Sequence, residues 1–183
     1  MDVLVDMDSV LADFGAKVHG EMAAQGWAYD YFERTMFHSA PSFRDRFGVD
    51  AGNAARAIST RPGFFAELEP MPGAVDALEA MVAYGWRVWL CSTVLNENPT
   101  CASDKLTWVQ HHLGTHWMDL VVLTADKTLV AGDLLVDDKP HIEGARTPSW
   151  THVRFTAPYN RDLPGPRLDR WADWPTLAGF AAS

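Results

Sequence analysis

The sequence predicts an α/β protein whose core is a doubly wound parallel sheet, and three observations support this fold class. Short apolar segments rich in β-branched and aromatic residues recur along the chain. Segments with helical periodicity alternate with them, as the crossover connections between parallel strands require. Polar residues directly follow several apolar segments, which is where open sheets of this kind bind ligands.

Five segments are predicted to be strands, because each is short, apolar and bounded by polar or turn-forming residues. The first begins two residues from the start of the chain and stops at an acidic residue, as a buried parallel strand would. In chain order the predicted strands are 3–5, 87–91, 120–123, 134–136 and 152–155.

The clearest helical pattern covers residues 73–84, with Gly85 placed as a C-terminal stop. Its predicted buried face consists of Ala74, Leu78, Met81 and Val82. A second helix is predicted from Ser103, as N-cap, to Gly114. Residues 158–167 contain three prolines and a glycine and are predicted to form a surface loop, and 171–180 a short helix packed on the core.

Residues 15–65 interrupt this alternation, since they contain no strand pattern but many aromatic side chains. We interpret this segment as a mainly helical cap that is inserted after the first strand and covers the site. The predicted domains are therefore a core of residues 1–14 and 66–183 and a helical cap of residues 15–65.

Composition and charge restrict the function further. The 183 residues carry a formal net charge of −9, which argues against binding to nucleic acid polymers, because these require a basic surface. No apolar run approaches the roughly 18 residues of a membrane-spanning helix. Two cysteines, Cys91 and Cys101, give no disulfide framework, so a reduced cytoplasmic setting is expected. The oligomeric state stays open, with a homodimer among the options.

Four polar clusters follow apolar strands, and a parallel sheet would bring them to one edge. They are Asp6 with Asp8, Ser92 with Thr93, Lys127, and Asp137 with Asp138. Carboxylates gathered in this way repel one another unless a cation lies among them. A hard divalent ion with oxygen ligands meets that need, and Mg²⁺ fits best because it also binds substrate phosphate.

The residue types at this edge suit phosphoryl transfer. Asp6 is positioned to attack phosphorus and form an aspartyl-phosphate, which divides one difficult displacement into two easier steps. Lys127, the hydroxyls of Ser92 and Thr93, and backbone N–H groups after Asp6 would stabilise the charge on the phosphoryl oxygens. Asp8 would protonate the leaving alkoxide as general acid and then deprotonate the hydrolytic water as general base.

These four clusters resemble the motifs of the haloacid dehalogenase (HAD) superfamily, phosphatase branch. Within it the chain is similar to the 5′(3′)-deoxyribonucleotidases over nearly its whole length, least so from Gly15 to Arg61. The segments that carry this similarity include 4–14 (LVDMDSVLADF), 62–65 (PGFF), 126–128 (DKT), 132–139 (GDLLVDDK) and 147–150 (TPSW).

The resemblance implies a Rossmann-like core, a small helical cap, Mg²⁺, and hydrolysis of deoxyribonucleoside monophosphates to nucleoside and phosphate. By motif position it implies that Asp6 is the nucleophile and Asp8 the general acid and base. The implied metal ligands are the Asp6 carboxylate, the Asp8 main-chain carbonyl and Asp138, with Asp137 nearby. The implied phosphate contacts are Ser92, Thr93 and Lys127, and Phe14 aligns with an aromatic residue that such enzymes use against the substrate.

One departure from the family pattern lies in the catalytic loop. The family usually has glycine where this chain has Ser9, and the added Cβ restricts the backbone of the loop. Serine is expected to be tolerated there if φ is negative.

Three other functions are compatible with parts of the pattern. The same chemistry would act on another small phosphate ester, such as a sugar phosphate or an intermediate of nucleoside biosynthesis. A dehalogenase uses the same aspartate on carbon, but it needs neither Asp8 nor the acidic pair Asp137 and Asp138. A non-catalytic phosphate-binding module is the third alternative, and Ser9 is the only residue that hints at it.

Overall fold

Six parallel strands form one sheet in the described part of the computed structural model, which comprises residues 1–27 and 48–181. The strands are β1 (Asp2–Val5), β2 (Arg87–Ser92), β3 (Val121–Leu123), β4 (Leu134–Asp137), β5 (Thr151–Phe155) and β6 (Arg167–Leu168). Their spatial order is β3-β2-β1-β4-β5-β6, so the winding reverses beside β1. This arrangement confirms the predicted doubly wound parallel sheet.

The central strand β1 is apolar because both faces of the sheet are covered. It pairs with β2 on one side and with β4 on the other. Val3 and Val5 belong to the larger core cluster, whereas Leu4 belongs to a smaller one with Leu135 and Trp150. This explains why the strand shows a continuous apolar run instead of an alternating pattern.

The five predicted strands are present with bounds that differ by at most one residue at either end. The prediction of an uninterrupted loop over 158–167 was wrong at its end, because Arg167 begins strand β6. This strand has only two residues, which pair with Arg154 and Phe155 of β5. Two residues are too few for a strand pattern to be recognisable in the sequence.

Four α-helices lie within the described residues: α1 (Phe14–Ala24), α2 (Val49–Ser59), α3 (Ala74–Ala83) and α4 (Cys101–His112). Four 3₁₀ segments accompany them, at Phe64–Glu67, Thr115–Leu120, Lys127–Leu129 and Trp171–Gly179. The predicted helix over 171–180 therefore exists as a 3₁₀ helix. None of the helices in these ranges is long and apolar enough to cross a membrane.

Two details of the helix predictions need correction. Helix α4 begins at Cys101 after the N-cap Thr100, whereas Ser103 lies inside the first turn and donates to the Thr100 carbonyl at 2.9 Å. Val82, predicted to face the core from α3, is 44% exposed. Gly85 does follow the end of α3, with a φ of 95° that favours glycine.

The predicted cap, residues 15–65, is described only at its two ends. Helices α1 and α2 pack against each other there. Trp27 packs against the core. Phe64 and Phe65 are buried in the core. Six further cap aromatics lie outside the described residues: Tyr29, Tyr31, Phe32, Phe37, Phe43 and Phe47. The division into core and cap therefore stays a prediction.

Candidate active site

The strand register brings the predicted clusters together at the carboxyl edge of the sheet. Val5 of β1 pairs with Leu90 of β2 and Val136 of β4, so the residues that follow these strands are neighbours. The backbone N–H of Asp6 extends this pairing by donating to the Val136 carbonyl at 2.9 Å. The common edge is a direct consequence of parallel strands that end at the same level.

Lys127 lies between two buried carboxylates at this edge. Its Nζ is 2.8 Å from Asp6 Oδ1 and 2.5 Å from Asp137 Oδ2, and all three side chains are at most 7% exposed. We call Lys127, Asp6 and Asp137 the inner centre. Burial raises the pKa of Asp6, but the positive charges of Lys127 and Lys105 outweigh this effect, so the pKa is lowered. Asp6 is therefore ionised, as a nucleophile must be.

A second buried lysine, Lys105, contacts the other catalytic candidate. Lys105 Nζ lies 2.7 Å from Asp8 Oδ2 and 2.8 Å from Ser92 Oγ, and it also lies over the ring of Phe65 at 5.2 Å. We call Lys105, Asp8 and Ser92 the outer centre, because the Asp8 side chain is 30% exposed. Sequence reasoning missed Lys105, which projects from helix α4 and not from a strand end.

The pKa of Asp8 is displaced in the opposite direction to that of Asp6. Burial raises the pKa of Asp8 above its usual value, even though the charge of Lys105 opposes the shift. Two carboxyl groups two residues apart thus differ in their readiness to hold a proton. A lowered pKa suits a nucleophile and a raised one suits a general acid. The roles of Asp6 and Asp8 stay predictions.

The loop after Asp8 is a tight turn that uses its own N–H groups. The N–H groups of Val10, Leu11 and Ala12 all donate to the Met7 carbonyl, and the N–H of Ser9 donates to the Ala12 carbonyl. These four N–H groups are therefore used within the turn, and the phosphate contact of N–H groups in the loop after Asp6 stays a prediction. The turn fixes the direction in which the chain leaves β1.

Ser9 has a φ of 61°, and no other non-glycine residue of the described ranges has a positive φ. The condition of a negative φ, under which serine would be tolerated at no cost, is not met. The left-handed conformation costs an L-residue roughly 1 to 2 kcal/mol, and glycine at this position would avoid that cost. The turn keeps its shape here with strain at one residue.

Ser92 and Thr93, whose hydroxyls are predicted to contact phosphate, both lie at this edge of the sheet but differ in their hydrogen bonding. Ser92 is 1% exposed and accepts from Lys105. Thr93 Oγ1 is buried and has no hydrogen-bond partner in the part of the chain that the structure describes. A buried hydroxyl without a partner is costly, so a ligand that accepts or donates a hydrogen bond there is favourable.

Phe14 is the first residue of α1 and lies in an aromatic cluster. Its ring centroid is 5.4 Å from that of Phe64 and 6.0 Å from that of Phe65. Phe65 in turn lies under the ammonium group of Lys105. The cluster therefore places Phe14 near the outer centre, and its contact with a substrate stays a prediction.

The carboxylates at this edge fit a hard divalent cation. Asp6, Asp137 and Asp138 are buried, and their oxygens lie within 4.8 Å of one another. Lys127 contacts Asp6 Oδ1 and Asp137 Oδ2, but its single positive charge does not balance three carboxylates. Asp137 uses both oxygens, since Oδ2 accepts from Lys127 and Oδ1 from the Lys139 N–H at 2.8 Å. The choice of Asp6, the Asp8 main-chain carbonyl and Asp138 as ligands stays a prediction.

Comparison with solved structures identifies the fold. A HAD family hydrolase from Deinococcus radiodurans, solved with bound phosphate and sodium, superposes with a TM-score of 0.60 over 98% of this chain and 95% of that one. CbbY from Rhodobacter sphaeroides, solved with phosphate, gives a TM-score of 0.53 over 99% of both chains. Both are 15% identical to this chain, so the likeness is one of fold alone.

Comparison with known sequences identifies the family. The family described as 5′ nucleotidase, deoxy (Pyrimidine), cytosolic type C protein matches residues 1–181. A Bordetella pertussis relative, provisionally named a 5′(3′)-deoxyribonucleotidase, is 42% identical over 177 residues, covering 95% of this chain and 93% of its own. The human cytosolic 5′(3′)-deoxyribonucleotidase is 38% identical over 185 residues, covering 93% and 89%.

The fold, the convergence of Asp6, Asp8, Lys127 and Asp138 at one edge of the sheet, and the full-length sequence match agree with one another. The chain therefore belongs to the cytosolic type C 5′-nucleotidase family and is a phosphoric monoester hydrolase of the HAD fold.

Proposed function

We propose that the chain hydrolyses deoxyribonucleoside monophosphates to nucleoside and inorganic phosphate, in a Mg²⁺-dependent reaction that passes through an aspartyl-phosphate on Asp6. The observation that carries the chemistry is the convergence of Asp6 and Asp8 at one edge of the sheet, where Lys127 Nζ lies 2.8 Å from Asp6 Oδ1 and Lys105 Nζ lies 2.7 Å from Asp8 Oδ2. The names of the family and of the human cytosolic relative support the substrate class.

In the first step the Asp6 carboxylate attacks phosphorus while the bond from phosphorus to the leaving oxygen breaks. Asp8 donates its proton to the nucleoside oxygen, so a neutral alcohol departs. Lys127 lies beside Asp6 and stabilises the negative charge on the phosphoryl oxygens, and Thr93 offers its buried hydroxyl.

In the second step a water molecule attacks the phosphorus of the aspartyl-phosphate. Asp8, now deprotonated, takes the proton of that water, and the bond between Asp6 and phosphorus breaks to release phosphate. The partial exposure of Asp8 gives the water access to it. Mg²⁺, held by the carboxylates of Asp6 and Asp138 and the main-chain carbonyl of Asp8, would neutralise phosphate charge and orient the ester.

A phosphate-release assay tests this proposal. The panel contains 5′- and 3′-deoxyribonucleoside monophosphates, the matching ribonucleotides and simple sugar phosphates, each with Mg²⁺ and with a chelator. We expect the deoxyribonucleotides to be hydrolysed fastest and the chelator to abolish turnover. Comparable rates on sugar phosphates would favour the alternative substrate class, and no Mg²⁺-dependent release from any ester would contradict the proposal.

The variant Asp6→Asn identifies the nucleophile. We expect it to reduce kcat by on the order of 10⁴-fold, since the amide cannot attack phosphorus. Asp119→Asn is the matched control, because Asp119 is exposed and precedes β3 at the opposite edge of the sheet. Equal activities of Asp6→Asn and the control would mean that the nucleophile lies elsewhere.

We also propose a reducing, cytoplasmic setting for this reaction. Cys91 and Cys101 are both buried and unpaired, and burial raises the pKa of Cys91 to about 11. Such thiols are unreactive and need no oxidising compartment. The homodimer stays a prediction that sedimentation analysis would check.

A further inference from the structure

Asn160 is fully buried in the loop after β5 and bonds to the segment that carries Asp138. Its Nδ2 donates to the Asp138 carbonyl at 2.7 Å and to the Phe155 carbonyl at 2.8 Å. Its Oδ1 accepts from the Ala157 N–H and from Arg167 Nη1, both at 3.0 Å. The amide thus uses both donors and two acceptor positions, which is its full capacity.

Arg167 donates hydrogen bonds to both the side chain and the main chain of Asn160. Besides its bond to Oδ1, its Nη2 donates to the main-chain carbonyl of Asn160 at 2.8 Å and to that of Leu163 at 2.9 Å. Arg167 begins β6 at the edge of the sheet. The guanidinium fork therefore fixes both the amide and the backbone of Asn160.

The hydrogen bond from Asn160 to the Asp138 carbonyl lies just beyond the last paired residues of β4 and β5. The pairing of β4 with β5 ends at Asp137 opposite Arg154. Asp138 lies beyond this last pair, so its backbone needs a different partner. Asn160 supplies one, and the bond to the Asp138 carbonyl restricts the rotation of the peptide group that follows the carboxylate.

We infer that Asn160 is a positioning residue for the metal site, which orients Asp138 through its main-chain carbonyl and is itself held by Arg167. The inference rests on the proposed role of Asp138 as a Mg²⁺ ligand. Hydrogen bonds that orient a metal ligand typically change metal affinity about 10- to 100-fold when they are removed. A purely structural asparagine would change stability and leave Mg²⁺ affinity as it is.

The chain contains a matched control for this distinction. Asn98 is 3% exposed, and its Nδ2 also donates to two main-chain carbonyls, those of Ser59 at 3.0 Å and Arg61 at 2.7 Å. It fixes the end of helix α2 and contacts none of the proposed metal ligands. Asn160→Asp and Asn98→Asp therefore make the same chemical change at the same kind of amide in two different places.

The experiment measures Mg²⁺ binding to the full-length protein by titration calorimetry without substrate, beside thermal unfolding. We expect Asn160→Asp to weaken Mg²⁺ binding about tenfold or more, because the new carboxylate oxygen faces two carbonyls where the amide donated. We expect Asn98→Asp to lower the Tm while Mg²⁺ affinity stays within twofold of the original. The Mg²⁺ concentration for half-maximal phosphate release should rise for Asn160→Asp in the same proportion.

A second variant keeps the test decisive if Asn160→Asp does not fold. Arg167→Met leaves Asn160 in place but removes its support, and we expect Mg²⁺ binding to weaken about threefold or more. Unchanged Mg²⁺ affinity in a folded Asn160→Asp, or in Arg167→Met where the first variant is unfolded, would overturn the inference. Equal loss in Asn98→Asp would overturn it too. If the unaltered protein binds no Mg²⁺, the proposed metal site fails, and the inference fails with it.

Discussion

The inner and outer centres show how one loop can place two aspartates in different chemical settings. In the inner centre Lys127 lies between Asp6 and Asp137, and all three side chains are buried. In the outer centre Lys105 pairs with Asp8 alone, and Asp8 is 30% exposed. The inner lysine follows β3, whereas the outer lysine comes from a helix.

The two centres also differ in charge balance, and this difference supports the different roles proposed for Asp6 and Asp8. The inner centre has two carboxylates for one ammonium group, so it carries negative charge and favours a further cation. The outer centre is balanced, and water reaches Asp8. An ionised nucleophile and a metal ligand belong in the first setting, and a group that exchanges protons belongs in the second.

Among changes to the lysines of the two centres, the larger effect is expected when the inner centre loses Lys127. Lys127→Met should lower kcat/KM by about 10²- to 10³-fold, because it removes a preorganised positive charge beside the attacked phosphoryl group. It should also reduce the free energy of unfolding by about 3 to 5 kcal/mol, since two buried carboxylates lose their partner. Phosphate-release kinetics and urea unfolding measure the two effects.

The exposed neighbour Lys139 provides the control for this prediction. Lys139→Met removes the same charge close to the site but leaves the buried ion pairs intact, so kcat/KM should change less than about threefold. Mg²⁺ should restore part of the stability lost in Lys127→Met, because the cation would replace the missing charge. Equal losses in both variants would show that net charge, and not the inner centre, governs activity.

A smaller effect is expected in the outer centre. Lys105→Met should lower kcat about 10- to 100-fold, within the usual contribution of a well-placed acid and base. The charge of Lys105 lowers the pKa of Asp8, so its removal should raise that pKa further. The step in which Asp8 acts as a base needs it deprotonated, so the acid limb of the pH–kcat profile should shift to higher pH.

Comparison of the pH–kcat profiles of Lys105→Met and Lys127→Met shows whether the two lysines act on different carboxyl groups. That variant should lower activity across the pH range with a smaller shift of the acid limb, because Lys127 is a weaker influence on the pKa of Asp8 than Lys105. An acid limb that does not move in Lys105→Met would contradict the assignment of Asp8 as the base.

The site residues at the strand ends could be predicted from the sequence, because a parallel sheet brings the carboxyl ends of its strands to one edge. Asp6, Ser92, Lys127 and Asp138 were found in this way, since each follows or ends an apolar segment. Their distances, and the pairing of Lys127 with two carboxylates, depend on the register and twist of the sheet. No periodic pattern within residues 15–65 reveals which aromatics of the predicted cap would face a substrate, so the sequence does not predict the residues that select the substrate.

Lys105 lies on the buried face of helix α4, and the sequence of the helix indicates this burial. Cys101, Lys105, Trp108 and Val109 are all buried on one face of α4, at the spacing of a helical stripe. A lysine within an apolar stripe must find a buried partner, and this is a recognisable signal. The identity of the partner was not accessible, because Asp8 is 97 residues away in sequence.

The smallest effect is expected at Ser9, which follows Asp8 in the turn that separates the two centres. Ser9→Gly should raise the free energy of unfolding by about 1 kcal/mol, because glycine adopts the φ of 61° without strain. Urea unfolding measures this, with Ser9→Ala as the control that removes the hydroxyl but keeps Cβ. An equal gain in the free energy of unfolding of both variants would mean that the hydroxyl of Ser9, and not its backbone conformation, is destabilising.

Activity measurements on the same variants sharpen the comparison of the centres. If the turn already holds Asp6 and Asp8 in their working positions, kcat for Ser9→Gly should stay within about twofold, since relief of strain alone changes no catalytic contact. A larger gain in kcat, absent in Ser9→Ala, would mean that the strained turn holds Asp8 away from its best position. The serine would then weaken the outer centre while leaving the inner one intact, and the KM for Mg²⁺ would be unchanged.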